Sequence, residues 1–266
     1  MPASAASSAP IGVYDSGFGG LHVLKALKAM LPSEPFVYVA DSGNAPYGDR
    51  HPVFFSGRAT EVARFLVQLN TKALVLACNT ASVVAARQLR ALHSMPIVAM
   101  EPAIRPAARA SKSKVVLVLA TTNTVRSQSV ARLCQAYGAD VRLILQPCPG
   151  LSDLVERGEF HSDKTRALLR QYLRPGLAAG ADVVVLGCTH YAYLGEEIAL
   201  MAGPSVAVVE PSSAVARQLS HLLKTSAAAS PQQAAKTSFY TSGCPQEMAS
   251  FLALVGEPFD QVNVLP

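Results

Sequence analysis

The sequence has no long apolar run and no export signal. Its apolar segments are of strand length, well short of the roughly 18 to 20 residues that span a bilayer. The opening "MPASAASSAP" has neither the basic nor the apolar segment of a signal peptide. These absences predict a cytoplasmic protein without a membrane span, with a short flexible tail at residues 1–10.

The sequence also has few cysteines, and none of them are closely spaced. The five, at positions 78, 134, 148, 188 and 244, form no CxxC pair and no dense framework. Disulfide scaffolds and structural zinc sites need such patterns. We therefore expect free thiols and no metal site.

Positive charge is in excess but is not concentrated. The formal net charge is +5 and the pI is about 9.0, yet the lysines and arginines are scattered and no stripe of basic and aromatic residues occurs. A nucleic-acid-binding protein would concentrate them on one face. The pattern disfavours a nucleic-acid partner and favours a small anionic substrate.

What the sequence does contain is a regular alternation of short apolar segments and longer segments of helical period. Half of its 266 residues are hydrophobic, which suits a large buried core. The alternation predicts an α/β fold with mostly parallel sheets. One helix is predicted over 20–31, with Leu21, Leu24, Leu27 and Leu31 on one face. Candidate strands start near Ile11, Phe36, Ala73, Pro96, Val115, Val141, Asp182 and Ser205.

The second half of the chain repeats the first. The segment "VLACNT" is similar to the later "VLGCTH", and "IVAMEPAIRPAARA" is similar to the later "VAVVEPSSAVARQL". The repeat predicts two similar α/β halves related by a pseudo-twofold, with the active site in the cleft between them. We expect a first domain of 11–101 and 210–266 and a second of 102–209, because the C-terminal segment is too short to bury its own apolar face.

Cys78 and Cys188 occupy matched places, each at the end of a strand and before a helix. The amides and dipole at a helix N-terminus favour an anion and lower the pKa of a thiol. The alternative is a buried structural cysteine, since cysteine is often found inside. Asn79, Thr80 and Thr189 follow the thiols and are suited to capping the helix or to holding a ligand carboxylate.

Other polar residues lie at strand ends. His190 is close enough to Cys188 to assist proton movement, or is a capping histidine. Asp15 and Ser16 end the first strand before a glycine turn, where Asp15 is an orienting or basic group or a turn residue. A dinucleotide motif would need glycine at His22, so we expect the glycines to allow close approach of a small ligand or of the facing half. The loop with Tyr47 and Gly48 is a further ligand-binding candidate.

Four motifs in this order, "YDSGFGGL", "PYGDR", "ACNTAS" and "GCTHY", resemble the glutamate racemases of the aspartate/glutamate racemase superfamily. The resemblance runs from about Ile11 to near the C-terminus. It implies a cofactor-independent enzyme that interconverts L- and D-glutamate and supplies D-glutamate for peptidoglycan. A homodimer is a further expectation from the family. Histidine rather than glutamate at position 190 favours glutamate over aspartate as substrate.

The resemblance also assigns roles to residues. It implies that Cys78 and Cys188 are the two acid/base groups, assisted by Asp15, His190 and Glu156. By the same likeness, the positions that bind substrate are Asp15, Ser16, Tyr47, Gly48, Asn79, Thr80, Thr121, Thr124, Thr189 and His190.

Alternative functions stay open at this point. Another superfamily member, such as an aspartate racemase or a decarboxylase acting on a small dicarboxylate, would share the fold and use one or both thiols. A binding module of the periplasmic type also has two α/β halves around a cleft. A cysteine hydrolase fits less well, because it needs one nucleophile with a histidine base rather than a matched pair.

Overall fold

The computed structural model describes residues 8–48, 50–225 and 236–266. Most of the tail predicted at residues 1–10, and nearly all of the low-complexity segment 225–236, lie outside the described residues. Within the described ranges, no helix is both long enough and apolar enough to cross a membrane.

The strands form two sheets in which every pairing is parallel. The bounds of the strands are β1 Ile11–Asp15, β2 Phe36–Ala40, β3 Ala73–Leu76, β4 Ile97–Ala99, β5 Val115–Ala120, β6 Arg142–Pro147, β7 Val183–Gly187, β8 Ala207–Val209, β9 Thr237–Thr241 and β10 Val262–Val264. The first sheet has the order β10-β9-β2-β1-β3-β4 and the second has the order β6-β5-β7-β8.

Helices connect the strands and cover the sheets. Two further segments, Ser42–Asn44 and Thr189–Leu194, are 3₁₀ helices. The α-helices are α1 Leu21–Met30, α2 Pro52–Gln68, α3 Asn79–Leu92, α4 Ile104–Ala110, α5 Thr122–Val125, α6 Gln128–Tyr137, α7 Leu151–Glu156, α8 Asp163–Ala178, α9 Gly195–Ala202, α10 Ser212–Thr225 and α11 Pro245–Leu254.

The predicted fold class is confirmed. Strands β1 to β4 and strands β5 to β8 adopt the same spatial order, with the first strand of each set between the second and the third. The eight predicted strand starts fall within two residues of the observed ones. The C-terminal segment adds β9 beside β2 of the first sheet. The domain boundaries at 101/102 and 209/210 stay a prediction.

The central strands are buried along their whole length, because both faces of each sheet are covered. All residues of β1, β2, β3 and β7 are buried, as expected for a parallel sheet between helices. Helix α1 buries Leu21, Leu24 and Leu27 as predicted, but Leu31 lies beyond its end. The reason is local, since a residue before proline is disfavoured in the helical conformation.

Candidate active site

The carboxyl ends of strands from both sheets meet at one cleft of about 680 Å³, a size that suits a small ligand. Of the residues predicted for the site, the first half of the chain contributes Ser16, Tyr47, Gly48, Cys78, Asn79 and Thr80 to its wall. The second half contributes Thr121, Glu156, Cys188, Thr189 and His190. Both motif thiols therefore face the same cavity from different halves.

Asp15 and Thr124 lie behind this wall rather than on it. Both side chains are fully buried. Asp15 accepts hydrogen bonds from the Gly17 amide (2.8 Å) and the Thr189 hydroxyl (3.1 Å), which joins the two halves beneath the cleft. Direct substrate contact by Asp15 and by Thr124 stays a prediction.

Three threonine hydroxyls form a second bridge between the halves. Thr80 Oγ1 lies 2.9 Å from Thr121 Oγ1 and 3.2 Å from Thr124 Oγ1, and the latter two are 2.9 Å apart. Thr121 also caps α5 by accepting from the Thr124 amide. The first turns of α3 and α5 are thereby held side by side at the cleft.

Cys78 caps α3 and is buried. Its Sγ accepts from the Ala81 amide at 3.4 Å and lies 3.4 Å from Ser16 Oγ. Burial, reinforced by the negative charge of Asp15, raises the pKa of the Cys78 thiol to about 12. The sequence-based expectation of a lowered pKa is not met here, because desolvation outweighs the helix amide.

Cys188 has different surroundings. The chain after it forms a 3₁₀ helix rather than an α-helix, and Sγ lies 3.6 Å from His190 Nδ1. His190 Nε2 lies 2.5 Å from Glu156 Oε1, which also accepts from the Phe18 amide at 2.7 Å. The result is a connected sulfur, imidazole and carboxylate on one side of the cleft.

Two ionisable partners of the thiols have shifted pKa values. Burial opposes protonation of His190, but its contacts with Cys188 and Glu156 outweigh burial and raise its pKa well above the usual value. Burial raises the pKa of Asp15 to about 6, although nearby His190 and the Gly17 amide oppose the rise. The site can therefore hold protons near neutral pH, which acid–base chemistry requires.

The glycines between β1 and α1 leave room for side chains of the second half of the chain. A Cβ atom on Gly17 would collide with the Glu156 carboxylate, and one on Gly19 would lie 2.5 Å from His190 Nδ1. This agrees with the expectation that the glycines permit close approach.

Asn79 lines the cleft and has a buried amide oxygen without a partner in the described part of the chain. Its Nδ2 donates to Met100 Sδ at 3.3 Å, and its Oδ1 is buried and has no hydrogen-bond partner among the residues that the structure describes. A buried amide oxygen is costly unless it is paired. It is suited to accept from a cationic ligand group.

Part of the cleft wall was not expected from the sequence. The C-terminal end of α7 and helix α11 contribute residues outside the motifs, among them Arg157, which follows α7, and Ser250, Phe251 and Leu254 of α11. The Phe251 ring packs on Phe18 with centroids 5.1 Å apart. The apolar pattern of α11 could indicate that one face is buried, but not what it packs against.

Metal and disulfide chemistry have no candidate group in the described ranges. No set of three or more His, Cys, Asp and Glu side chains there is placed to hold a metal ion. All five cysteines are free. The prediction of a metal-free, cofactor-free reaction remains a prediction.

A thiol from each of two similar halves, with acid–base partners behind both, is suited to moving protons on two faces of one carbon atom. The fold and the site together are those of an α/β protein with a site suited to proton transfer between its two halves.

Comparisons with known proteins agree. A family model described as Asp/Glu/Hydantoin racemase matches residues 19–219. A glutamate racemase from Pseudomonas paraeruginosa is 45% identical over 262 residues, which cover 98% of this chain and 99% of the relative. The chain belongs to this racemase family, among its glutamate racemases.

Two solved structures are similar over nearly the whole chain. The structure of Escherichia coli glutamate racemase in complex with L-glutamate and the activator UDP-MurNAc-ala has a TM-score of 0.85 and 28% identity, and covers 96% of this chain and 98% of that one. The structure of Francisella tularensis glutamate racemase in complex with D-glutamate has a TM-score of 0.86 and 25% identity, with 98% of each chain covered.

Proposed function

We propose that this glutamate racemase interconverts L- and D-glutamate by passing the α-proton between two thiols, Cys78 and Cys188. The interconversion follows from membership of the family, whose glutamate racemases supply D-glutamate for peptidoglycan synthesis. The assignment of the thiols rests on one observation, that both face one cleft from opposite halves.

In the proposed reaction with D-glutamate, Cys78 as thiolate removes the α-proton and Cys188 as thiol delivers a proton to the opposite face. The roles exchange for L-glutamate. The α-ammonium group of the substrate brings a positive charge, which offsets the burial that disfavours the Cys78 thiolate. Asn79 lines the cleft, and its Oδ1, which has no partner among the described residues, is the proposed acceptor for that group.

In the second half of the chain, the His190 imidazole assists proton transfer by Cys188. Its raised pKa favours a cation beside the Cys188 sulfur, where it stabilises negative charge, and Glu156 orients the ring. The first amides of α3 lack acceptors within the helix and can hold the α-carboxylate. Such preorganised donors contribute several kcal/mol to stabilising a carbanion next to the carboxylate.

The first test is racemisation in heavy water with no added cofactor, followed by chiral chromatography and mass spectrometry. Two bases predict that the product carries solvent deuterium while the early substrate remains largely unlabelled. Equal early labelling of both enantiomers would indicate one shared base and contradict the proposal.

Replacing Gly17 with alanine tests the role of Glu156. The added methyl group must displace the Glu156 carboxylate and so move His190, which should lower kcat about tenfold, since small misplacements of catalytic groups are costly. Gly57→Ala is the matched control, because Gly57 lies in α2 with open space around it. Equal kcat values in the two variants would show that the position of Glu156 does not matter.

A homodimer and a cytoplasmic location stay predictions. The free state of all five cysteines supports a reducing compartment. Size-exclusion chromatography with light scattering would settle the oligomeric state.

A further inference from the structure

The loop that carries Tyr47 and Gly48 connects the 3₁₀ helix after β2 to α2, so it belongs to the first half of the chain. Ala45, Pro46, Tyr47 and Gly48 all line the cleft. The loop forms a wall of the cleft but contributes neither of the motif thiols. The loop therefore shapes the space that is available to a ligand.

The main chain of this loop is held by one residue of the second half. Asn123 in α5 donates from Nδ2 to the carbonyl oxygens of Tyr47 (2.9 Å) and Arg50 (2.8 Å). Its backbone amide donates to the Gly48 carbonyl at 3.1 Å. Three hydrogen bonds from a single residue thus cross from one half to the other.

The Tyr47 side chain, in contrast, is anchored in its own half. The buried Tyr47 hydroxyl lies 2.8 Å from Tyr14 Oη and donates to Asp41. Arg58 binds both carboxylate oxygens of Asp41, at 2.9 Å and 2.7 Å. Such a bidentate pair fixes geometry as well as charge. The loop is therefore attached to one half through a side chain and to the other through its backbone.

We propose that Asn123 is a positioning residue that fixes the Tyr47–Gly48 wall of the cleft to the second half, and so sets the fit of the substrate. The kinetic part of this inference rests on the proposed function, since glutamate must be the molecule that occupies the cleft. Loss of an interaction that serves ground state and transition state alike raises KM and leaves kcat nearly unchanged.

Two variants of Asn123 test the proposal. Asn123→Ala removes both side-chain donors but keeps the backbone amide and the Thr121 cap, so the fold should survive. Asn123→Asp keeps the size of the side chain and removes the donor. Both should raise KM for glutamate about tenfold, the effect expected for losing one or two neutral hydrogen bonds, with kcat within about twofold.

The matched control is Asn263→Ala. Asn263 is also half-buried and donates from Nδ2 to a backbone carbonyl, that of Phe239 at 3.1 Å, but it lies in β10 outside the cleft. Its KM should equal that of the wild type. Two backbone amides report on this contact: that of Arg50, which donates to the Tyr47 carbonyl at 3.2 Å, and that of residue 123, which donates to the Gly48 carbonyl at 3.1 Å. Hydrogen exchange at both should be faster in the two Asn123 variants and unchanged in the control.

The outcomes separate the two claims. A wild-type KM in Asn123→Asp would overturn the inference, because side-chain size rather than donation would then be what matters. Unchanged exchange at the amides of Arg50 and residue 123 would overturn it as well. A wild-type protein that fails to racemise glutamate would instead overturn the proposed function, and the exchange experiment would still decide whether Asn123 holds the loop.

Discussion

Cys188→Ala is expected to abolish racemisation of glutamate in both directions while leaving exchange of the α-proton of D-glutamate with solvent. Racemisation needs a proton delivered to the face opposite the one from which it was removed, and alanine cannot deliver it. General acid–base groups contribute about 10²–10⁴-fold each, so the loss should be at least of that order. The assay is chiral chromatography, with α-proton exchange in heavy water followed by NMR.

The reciprocal variant sharpens this test. Cys78→Ala should lose racemisation equally but retain exchange of L-glutamate only, because Cys188 with His190 remains on its side of the cleft. Cys134→Ala is the control, since this half-buried cysteine lies in α6 outside the cleft. Full racemase activity in either motif variant, or exchange of the same enantiomer in both, would contradict the two-thiol assignment.

The local parts of the fold could be predicted because they depend on neighbouring residues. Apolar segments of strand length and the leucine spacing of α1 are set by what each element must bury, and their positions are confirmed to within two residues. The matched contexts of Cys78 and Cys188 predicted a shared cleft because ligands bind beyond the carboxyl ends of parallel strands and the two repeated halves were expected to face each other. The prediction that α1 includes Leu31 was wrong, because Pro32 disfavours the helical conformation of the residue before it. The spacing of apolar residues carries no information on this backbone effect.

The rest of the site depends on contacts between distant segments. The hydrogen bond of Asn123 to the Tyr47 carbonyl joins residues 76 positions apart, and Phe251 meets Phe18 only after the C-terminal segment returns to the first sheet. No local pattern specifies such pairs. The pKa of Cys78 was misjudged for a related reason, because the depth of its burial is a property of the whole packed cleft.

Asp15→Asn is expected to make the protein more stable and less active at neutral pH. Burial raises the pKa of Asp15 from 3.8 to about 6, so the folded state binds this proton more tightly than the unfolded state does. The stabilisation that protonated Asp15 provides is complete below about pH 4 and is lost as the pH rises through about 6. Two pKa units correspond to about 3 kcal/mol, and asparagine, which carries no charge, avoids this loss.

Urea unfolding at pH 4 and at pH 8 measures this effect. The variant should match the wild type at pH 4 and exceed its free energy of unfolding at pH 8 by up to about 3 kcal/mol, while exposed Asp140→Asn changes neither value. Racemisation should fall about 10- to 100-fold, the cost of losing a charged hydrogen-bonding group that faces a cation. A variant that is less stable than the wild type at pH 8 would mean that the Asp15 carboxylate stabilises the fold through its contacts with Gly17 and Thr189. The desolvation argument for its raised pKa would then be wrong.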